Sequence, residues 1–291
     1  MNTAAAAPAA VSFPARDGRL LHGLLVAAPA APRAALVVNA ATGVGREFYL
    51  KFAAYAAQRG YHTLLHDYRG MGRSAVNPLS AETATMSEWG LLDMPAALDW
   101  LLNRYPGLPC FTVGHSVGGQ LIGCMDNANR ARAHLMVAAS TGYWRRESIP
   151  FRFLALALWW LYGPLMLALR GYLPQGGLWT GRALPPGVFR QWRKWCLSAA
   201  PFPELDERLQ GSHFAAVRGP VLALAFTDDP IATPAAVTAL LASYSAARIE
   251  QRWIRPADAG VRSLGHRGFF AARHRDSLWP GVFDWLDARC S

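Results

Sequence analysis

A serine surrounded by glycines is the first feature of the sequence that could carry out chemistry. It lies in the segment GHSVGG at 114–119, after the apolar run 109–113 and at the start of a predicted helix. The glycines permit a tight turn that lifts a serine hydroxyl above the end of a strand. The same turn points the N–H of Val117 and the helix N-terminus toward a developing negative charge. We therefore predict that Ser116 is a nucleophile and that Val117 contributes to an oxyanion hole.

A serine nucleophile needs a base, and His266 is suitably placed for this role. It stands in the segment GHRGFF at 265–270, between the last predicted strand and the last predicted helix. Loops at the carboxyl ends of parallel strands collect the catalytic groups of α/β proteins. The chain order serine, acid, histidine agrees with this assignment. We predict His266 as the general base.

Two adjacent aspartates are candidates for the acid that orients this histidine. Asp228 and Asp229 follow the apolar strand predicted at 220–226. A carboxylate at this point would hold the histidine tautomer and stabilise the imidazolium. Asp before Pro is also frequent in turns, so one of the two can be purely structural. The residues alone leave both open, with Asp258, in the loop before the histidine, as a weaker alternative.

Two further turns end early strands. The segment NAATG at 39–43 occupies the place where this type of sheet supplies a second oxyanion N–H, and Ala41 is the predicted donor. The segment DYRGMGRS at 67–74 contains glycines typical of a tight turn, and we expect Asp67 and Arg69 to form a structural ion pair.

The elements that must position these residues alternate between strand and helix. The predicted strands follow a β-hairpin over 11–27 and lie at 34–39, 61–66, 109–113, 134–139, 220–226 and 249–254. The predicted helices lie at 48–59, 87–104, 117–129, 233–246 and 268–288. This alternation predicts an α/β fold with a mostly parallel sheet, helices on both faces and an antiparallel edge.

The alternation stops between two sheet strands, which divides the chain into a core and an insertion. Residues 1–10 are predicted to be a disordered leader, and 11–140 with 216–291 to form the core. Residues 141–215 are predicted to form a helical lid over the end of the sheet.

The predicted lid is rich in tryptophan and basic residues. It carries nine basic residues against four acids, and six of the eleven tryptophans: Trp144, Trp159, Trp160, Trp179, Trp192 and Trp195. Its run 153–169 is uncharged but shorter than the ~20 residues that a membrane span needs, and Gly163-Pro164 interrupts it. An apolar lid face would suit a hydrophobic acyl chain, and peripheral membrane contact through Trp and Arg is compatible with it.

Composition excludes several classes of protein. With 52% hydrophobic and 16% charged residues, the chain can bury a large core and is not disordered. The net charge of +10 comes from scattered arginines without a nucleic-acid recognition motif, so we expect no nucleic-acid partner. No metal-ligand spacing occurs, and we expect neither a metal nor a cofactor. Four cysteines outside any disulfide framework and the lack of a secretory signal predict a cytoplasmic protein. The sequence contains no signal for an oligomeric state.

The chain resembles the α/β-hydrolase superfamily, and most of all a bacterial branch of predicted serine hydrolases and esterases. The resemblance covers nearly all of 11–288 and rests on GHSVGG, DYRGMGRS, VLALAFTDDPIATP and LGHRGFF. In relatives the acid often follows Gly-x-x, and Phe226 stands in the place of that glycine, which implies Asp229 as the acid. Asn39-Ala40 replaces the common His-Gly before the oxyanion donor.

The resemblance implies a Ser-His-Asp hydrolase that cleaves a carboxylic ester through an acyl-enzyme, and the apolar lid predicts a small-molecule ester with a hydrophobic acyl group. An amidase or peptidase, a thioesterase and an acyltransferase use the same residues and are the alternatives within this mechanism. A non-enzymatic protein that binds lipid or a membrane surface is the alternative outside it, and the complete set Ser116, Asp229 and His266 argues against it.

Overall fold

One sheet of eight strands organises the residues that the computed structural model describes, which are 7–200 and 212–290. The strands are β1 Ala9–Pro14, β2 Leu20–Val26, β3 Ala34–Asn39, β4 Tyr61–His66, β5 Cys110–His115, β6 Ala133–Val137, β7 Pro220–Phe226 and β8 Arg248–Ile254. Their order across the sheet is β1-β2-β4-β3-β5-β6-β7-β8. β2 pairs antiparallel with β1 and β4, and all other pairs are parallel. The predicted fold class is therefore confirmed.

Helices connect the parallel strands. Eight of the helices are α1 Leu50–Gln58, α2 Met94–Arg104, α3 Val117–Gln120, α4 Ile149–Ala157, α5 Gly163–Arg170, α6 Pro186–Leu197, α7 Pro234–Leu241 and α8 Arg275–Asp287. Several of them, including α2, α4 and α7, carry proline in the first turn, where its missing N–H costs no hydrogen bond.

The central strands form the core because they are mainly apolar and are buried along their whole length. Every residue of β3, β4, β5 and β6 is buried, as expected for parallel strands covered on both faces. β3 lies between β4 and β5, with Val38 opposite Leu65 on one side and Val113 on the other. This register brings the carboxyl ends of β3 and β5 side by side.

Element boundaries differ from the sequence-based expectation at several places. β1 begins at Ala9, inside the predicted disordered leader, because Ala9 and Ala10 pair with β2; residues 1–6 lie outside the described residues. The helix predicted over 117–129 ends at Gln120, since the N–H of Gly123 donates to the hydroxyl of Tyr244 at 2.9 Å. α8 begins at Arg275 rather than at 268, after two short 3₁₀ turns.

The predicted lid contains one long helix and a second helix packed against it. α4, a π-helical turn at Leu158–Tyr162 and α5 form a continuous helix over Ile149–Arg170, which is long and apolar enough to cross a membrane by length and composition. Gly163-Pro164 does not break it, so that expectation was wrong: the π turn changes the hydrogen bonding just before the proline. Gly163 and Trp159 pack on Phe189 of α6. Residues 201–211 of the predicted lid lie outside the described residues.

Candidate active site

Ser116 stands in a strained turn between β5 and α3. Its backbone angles are φ 53° and ψ −115°, a conformation that non-glycine residues rarely adopt. The turn fits only because glycine stands two residues after the serine: a Cβ on Gly118 would collide with the carbonyl group of Asn39. The N–H of Ser116 donates to the carbonyl of Val137 at 2.9 Å, which ties the turn to β6. The sheet therefore holds the serine hydroxyl at its carboxyl edge.

The three residues predicted to act together are in contact. His266 Nε2 lies 2.8 Å from Ser116 Oγ, and His266 Nδ1 lies 2.8 Å from Asp229 Oδ2. An ionised Asp229 can only accept, so Nδ1 carries the proton and Nε2 accepts from the serine hydroxyl. The side chain of Asp229 is fully buried and that of His266 is 17% exposed. This arrangement can move a proton from serine to histidine while the carboxylate stabilises the resulting imidazolium.

Asp229 is kept ionised by its surroundings. Burial alone would raise the pKa of this carboxyl group, but the charge and hydrogen bond of His266 lower it below its ordinary value. The backbone N–H groups of Ile231 and Ala232 contribute by donating to Oδ1 at 2.8 and 3.1 Å. The carboxylate is thus fixed on both of its oxygens.

Asp228, the neighbouring candidate, has different partners. It accepts hydrogen bonds from the Ser263 hydroxyl and the Leu264 N–H, each at 2.8 Å, and from the Gly265 N–H at 3.0 Å. It therefore holds the loop that leads into His266. Asp258, the third candidate, pairs with Arg255 in an exposed turn. Of the three aspartates, only Asp229 contacts the imidazole in the described structure.

The two predicted oxyanion donors differ in availability. Val117 is the first residue of α3, so its N–H has no acceptor within the helix. The N–H of Ala41 donates to the hydroxyl of Tyr49 at 2.9 Å. Ala41 thus lies in the expected loop, and its N–H, the predicted second oxyanion donor, already donates to Tyr49.

Two residues near the site were missed by sequence reasoning. The hydroxyl of Tyr49 also lies 2.9 Å from His115 Nδ1, and His115 Nε2 lies 2.8 Å from the carbonyl oxygen of His266. His115 occupies the variable position of the glycine-rich turn, and Tyr49 ends a 3₁₀ turn before α1. No single-sequence signal singles out either residue, because their partners are distant along the chain.

The turn at 67–74 is structural, but its expected ion pair was wrong. Asp67 pairs with Arg46 at 3.0 Å. Arg69 instead bonds Asp93 at 2.8 Å and reaches Asp17 at 2.9 Å. Both residues are buried and face different neighbours, so the turn is held by two separate ion-pair groups.

The predicted lid touches the oxyanion loop and the histidine loop of the site through a short segment. The Trp179 ring packs on the backbone of Gly43, and the Arg182 N–H donates to the Gly43 carbonyl at 2.7 Å. Arg267, beside the histidine, donates to the Thr180 hydroxyl at 3.1 Å. The contacts thus come from 179–182, whereas Trp159 and Gly163 of the apolar run 153–169 pack on α6.

Within the described residues, no group of three or more His, Cys, Asp or Glu could hold a metal ion.

Comparison with known proteins shows the family of the chain and its fold. Residues 30–184, more than half of the chain, match the model of a hydrolase family described as serine aminopeptidase, S33. The chain belongs to this family. Among curated proteins, none matches the sequence of this hydrolase.

Solved structures share its fold at low sequence identity. A soluble variant of monoglyceride lipase from Saccharomyces cerevisiae, in complex with a substrate analogue, has a TM-score of 0.69 and 15% identity, covering 98% of this hydrolase and 96% of the lipase. An esterase from Pyrococcus furiosus has a TM-score of 0.65 and 13% identity over 98% and 92% of the two chains. A thermostable carboxyl esterase from Bacillus coagulans gives 0.65 and 13% over 98% and 100%. The α/β-hydrolase architecture is therefore shown for the part of the chain that the structure describes.

Proposed function

We propose that this hydrolase cleaves a carboxylic ester with a hydrophobic acyl group through an acyl-enzyme on Ser116. The observation that carries the proposal is the continuous line from Ser116 Oγ through His266 to Asp229, with two contacts of 2.8 Å. The strained turn that presents the serine supports the same role, since such strain persists where the surrounding structure imposes it.

In the first half-reaction, Ser116 Oγ attacks the ester carbonyl carbon while His266 Nε2 takes the hydroxyl proton. The electron pair of the carbonyl moves to its oxygen, and the N–H of Val117 donates to this oxyanion. When the tetrahedral species collapses, the bond to the alkoxy group breaks and His266 gives its proton to the leaving oxygen. The alcohol departs and the acyl group stays on Ser116.

In the second half-reaction, water takes the place of the alcohol. His266 accepts a proton from the water as its oxygen attacks the acyl carbon, and the same oxyanion forms again. Collapse breaks the bond to Ser116 Oγ, which recovers its proton from His266. Asp229 stays ionised throughout and stabilises the imidazolium in each half-reaction. The proposed mechanism needs no metal or cofactor.

The choice of ester draws on what the similar structures are. Proteins of this fold named as an esterase, a carboxyl esterase and a monoglyceride lipase are among the structural neighbours. The family description names a serine aminopeptidase, so amide and peptide substrates form the competing class. Both classes use the same acyl-enzyme, and the leaving group decides between them.

The hydrophobic acyl group follows from the proposed lid at 141–215. Its segment 179–182 lies against Gly43 of the oxyanion loop and against Arg267 beside the histidine. Ser148 fastens the first turn of the lid to the acid loop, through an N–H donated to the Pro230 carbonyl at 2.8 Å. Trp179 packs edge-on against Trp192 at 5.2 Å, so aromatic side chains continue from the catalytic loops into the lid. Such apolar surroundings suit an alkyl chain better than a charged substrate.

The outer face of the same lid supports contact with a membrane surface. Large apolar side chains along the long helix are at least half exposed: Ile149, Phe153, Leu161, Leu165 and Leu169. Successive residues of this set are four or eight apart, so each lies near the next and together they form an oblique stripe along the helix. Arg152 and Arg170 flank the apolar run, and Arg193 lies over the ring of Trp160 at 4.6 Å. An apolar stripe with arginines matches the interface of an anionic bilayer. The cysteine thiols, three of them buried, fit the cytoplasmic side of such a membrane.

A panel of esters and matching amides of graded acyl length tests the proposed function. We expect ester turnover to exceed amide turnover, and kcat/KM to rise about fourfold per methylene while the pocket fills, because each buried methylene contributes about 0.8 kcal/mol. Ser116→Ala should lose all turnover in both series. Preference for aminoacyl amides would favour the aminopeptidase class, and a flat dependence on acyl length would contradict the acyl pocket.

A further inference from the structure

A buried chain of hydrogen bonds joins the three loops of the candidate site. It runs from the Ala41 N–H to the Tyr49 hydroxyl at 2.9 Å, and from that hydroxyl to His115 Nδ1 at 2.9 Å. It ends where His115 Nε2 meets the carbonyl oxygen of His266 at 2.8 Å. The chain thus connects the oxyanion loop, the residue immediately before Ser116 and the loop of the proposed base.

The direction of every hydrogen bond in this chain is fixed by its two ends. A backbone N–H can only donate, so the Tyr49 oxygen accepts a hydrogen bond from Ala41. The single hydroxyl proton of Tyr49 is then left to donate to His115 Nδ1. A carbonyl can only accept, so His115 Nε2 carries the proton that is donated to His266. Both requirements are met by one neutral tautomer of His115.

The chain is isolated from solvent and keeps its protons. Tyr49 is 1% exposed and His115 is not exposed at all. Burial and the neighbouring charge of His266 lower the pKa of His115 to about 3, so its imidazole stays neutral at physiological pH. Burial also raises the pKa of Tyr49 above its ordinary value, so the phenol stays protonated. Near neutral pH neither group changes its protonation, so the direction of each hydrogen bond in the chain stays the same.

We propose that Tyr49 and His115 are positioning residues, which hold the oxyanion loop and the His266 loop in register with Ser116. The proposal rests on the proposed function, since it assigns these loops their catalytic roles. His115 holds His266 by its backbone, while the adjacent Ser116 meets the same residue at its ring. Phe270 packs against both members of the pair, with ring centres 4.8 Å from Tyr49 and 5.0 Å from His115, and limits their movement.

The alternative role for Tyr49 is a passive acceptor that covers the Ala41 N–H until an oxyanion displaces it. The two roles predict opposite effects when the hydroxyl is removed. If the oxyanion had to displace the Tyr49 hydroxyl from the Ala41 N–H, this hydroxyl would slow the reaction. Its removal in Tyr49→Phe would then leave kcat unchanged or raise it. A positioning residue lowers kcat when it is lost, because misplaced loops raise the barrier to acyl transfer.

Steady-state kinetics of Tyr49→Phe, His115→Phe and the double variant separate these roles. We expect kcat to fall roughly ten- to a hundredfold in each single variant, with KM changed less than threefold. The double variant should lose no more than the worse single variant, because either change interrupts the same chain. If His115→Phe does not fold, His115→Asn keeps a polar atom beside Tyr49 and loses the contact with His266.

Tyr61→Phe is the matched control. Tyr61 is as buried as Tyr49 and its hydroxyl also makes a hydrogen bond, to Asp287 at 2.6 Å, but at the amino end of β4. The Tyr61→Phe variant should lose about as much thermal stability as Tyr49→Phe, and its kcat should stay within twofold of the wild-type value. An unchanged or raised kcat in Tyr49→Phe, or multiplied losses in the double variant, would overturn the proposal.

Nitrogen NMR of the histidine rings tests the chain without any turnover. We expect a neutral His115 with its proton on Nε2 from pH 5 to pH 9, and a His266 Nδ1–H resonance that shifts in Tyr49→Phe but not in Tyr61→Phe. Titration of His115 in this range, or an unmoved His266 resonance, would contradict the positioning role. A wild-type protein that shows these signals but cleaves no ester would instead contradict the proposed function.

Discussion

Asp228 and Asp229 are adjacent in sequence, yet their carboxylates face different partners. Asp229 reaches the His266 ring, whereas Asp228 binds three donors of the loop 263–265. The difference arises because successive residues after β7 point in different directions. One carboxylate thus orients the proposed base, and the other shapes the loop that carries it.

This division predicts unequal losses in two matched variants. Asp229→Asn should lower kcat roughly 10⁴-fold, the size of the effect when the histidine is held in the wrong tautomer. Asp228→Asn keeps the side-chain volume and an acceptor oxygen for the loop, so we expect a loss of about tenfold or less. The comparison is of kcat for one ester, with circular dichroism as the check on folding. Equal and mild losses in both variants would show that neither carboxylate orients the base.

The residues of the proposed triad could be found from the sequence because each follows a strand of the sheet. Ser116, Asp229 and His266 lie in the connections that follow β5, β7 and β8, whose position is set by strand order. Tyr49 and the true partners of Asp67 and Arg69 could not be found in this way. Their contacts depend on side-chain directions across elements that are far apart in sequence, as in the pair of Arg69 with Asp93.

At the scale of elements, Glu147 marks the point where the proposed lid joins the core. It is 5% exposed, and its Oε2 atom has no hydrogen-bond partner in the described structure. Burial, and then the negative charge of Asp229, raise the pKa of Glu147 to about 8, while Arg152 lowers it. The carboxyl group is therefore protonated at neutral pH.

Glu147 makes the stability of the fold depend on pH. In the unfolded chain its pKa returns to about 4.3, so between that value and about 8 the folded state holds a proton that the unfolded state has lost. The free energy of unfolding therefore falls as pH rises through this window. Glu147→Gln removes the titration, and we expect its Tm to exceed that of the wild type more at pH 8.5 than at pH 5. The measurement is thermal unfolding at both values.

Glu47→Gln is the control for this measurement, because its side chain is 47% exposed. It should follow the wild-type dependence on pH. If Glu147→Gln shows the same slope as the wild type, Glu147 is ionised in the folded protein and the assigned protonation is wrong.

At this scale the sequence predicted the strands better than the helices. The bounds of β3, β4 and β7 are those expected, since short apolar runs between turns define them. The helix after Ser116 was predicted too long, because the hydroxyl of Tyr244, far along the chain, takes the Gly123 N–H. Such tertiary hydrogen bonds leave no periodic pattern.

At the scale of the whole molecule, the net charge of +10 and the exposed apolar stripe of the lid act together. The run 153–169 was expected to line an acyl pocket, but several of its large side chains, including Phe153 and Leu161, point outward. Hydropathy identifies an apolar helix without showing which neighbour covers each face. The outward stripe leads instead to a prediction about membranes.

We expect the protein to bind vesicles that contain anionic lipid, and Leu161→Asp to weaken this binding about tenfold or more. Inserting a leucine side chain contributes roughly 1.5–3 kcal/mol, and a carboxylate there would also be repelled by the lipid. Flotation with phosphatidylserine vesicles at low and high salt measures the effect, and screening should weaken the electrostatic part.

Leu20→Asp is the matched control, because Leu20 is 53% exposed but lies in the hairpin rather than in the lid. It should bind vesicles like the wild type. Equal binding by both variants, or no binding by the wild type, would exclude the lid as a membrane contact and leave the ester chemistry unaffected.

Covalent labelling with a fluorophosphonate tests the central claim most directly, because the reagent reacts with a serine that a neighbouring base has activated. Intact mass should increase by one adduct per chain, and peptide mapping should place this adduct on Ser116. Labelling should vanish in Ser116→Ala and become far slower in His266→Gln, which keeps the loop but removes the base. An adduct on another serine, or labelling that persists in Ser116→Ala, would contradict the account.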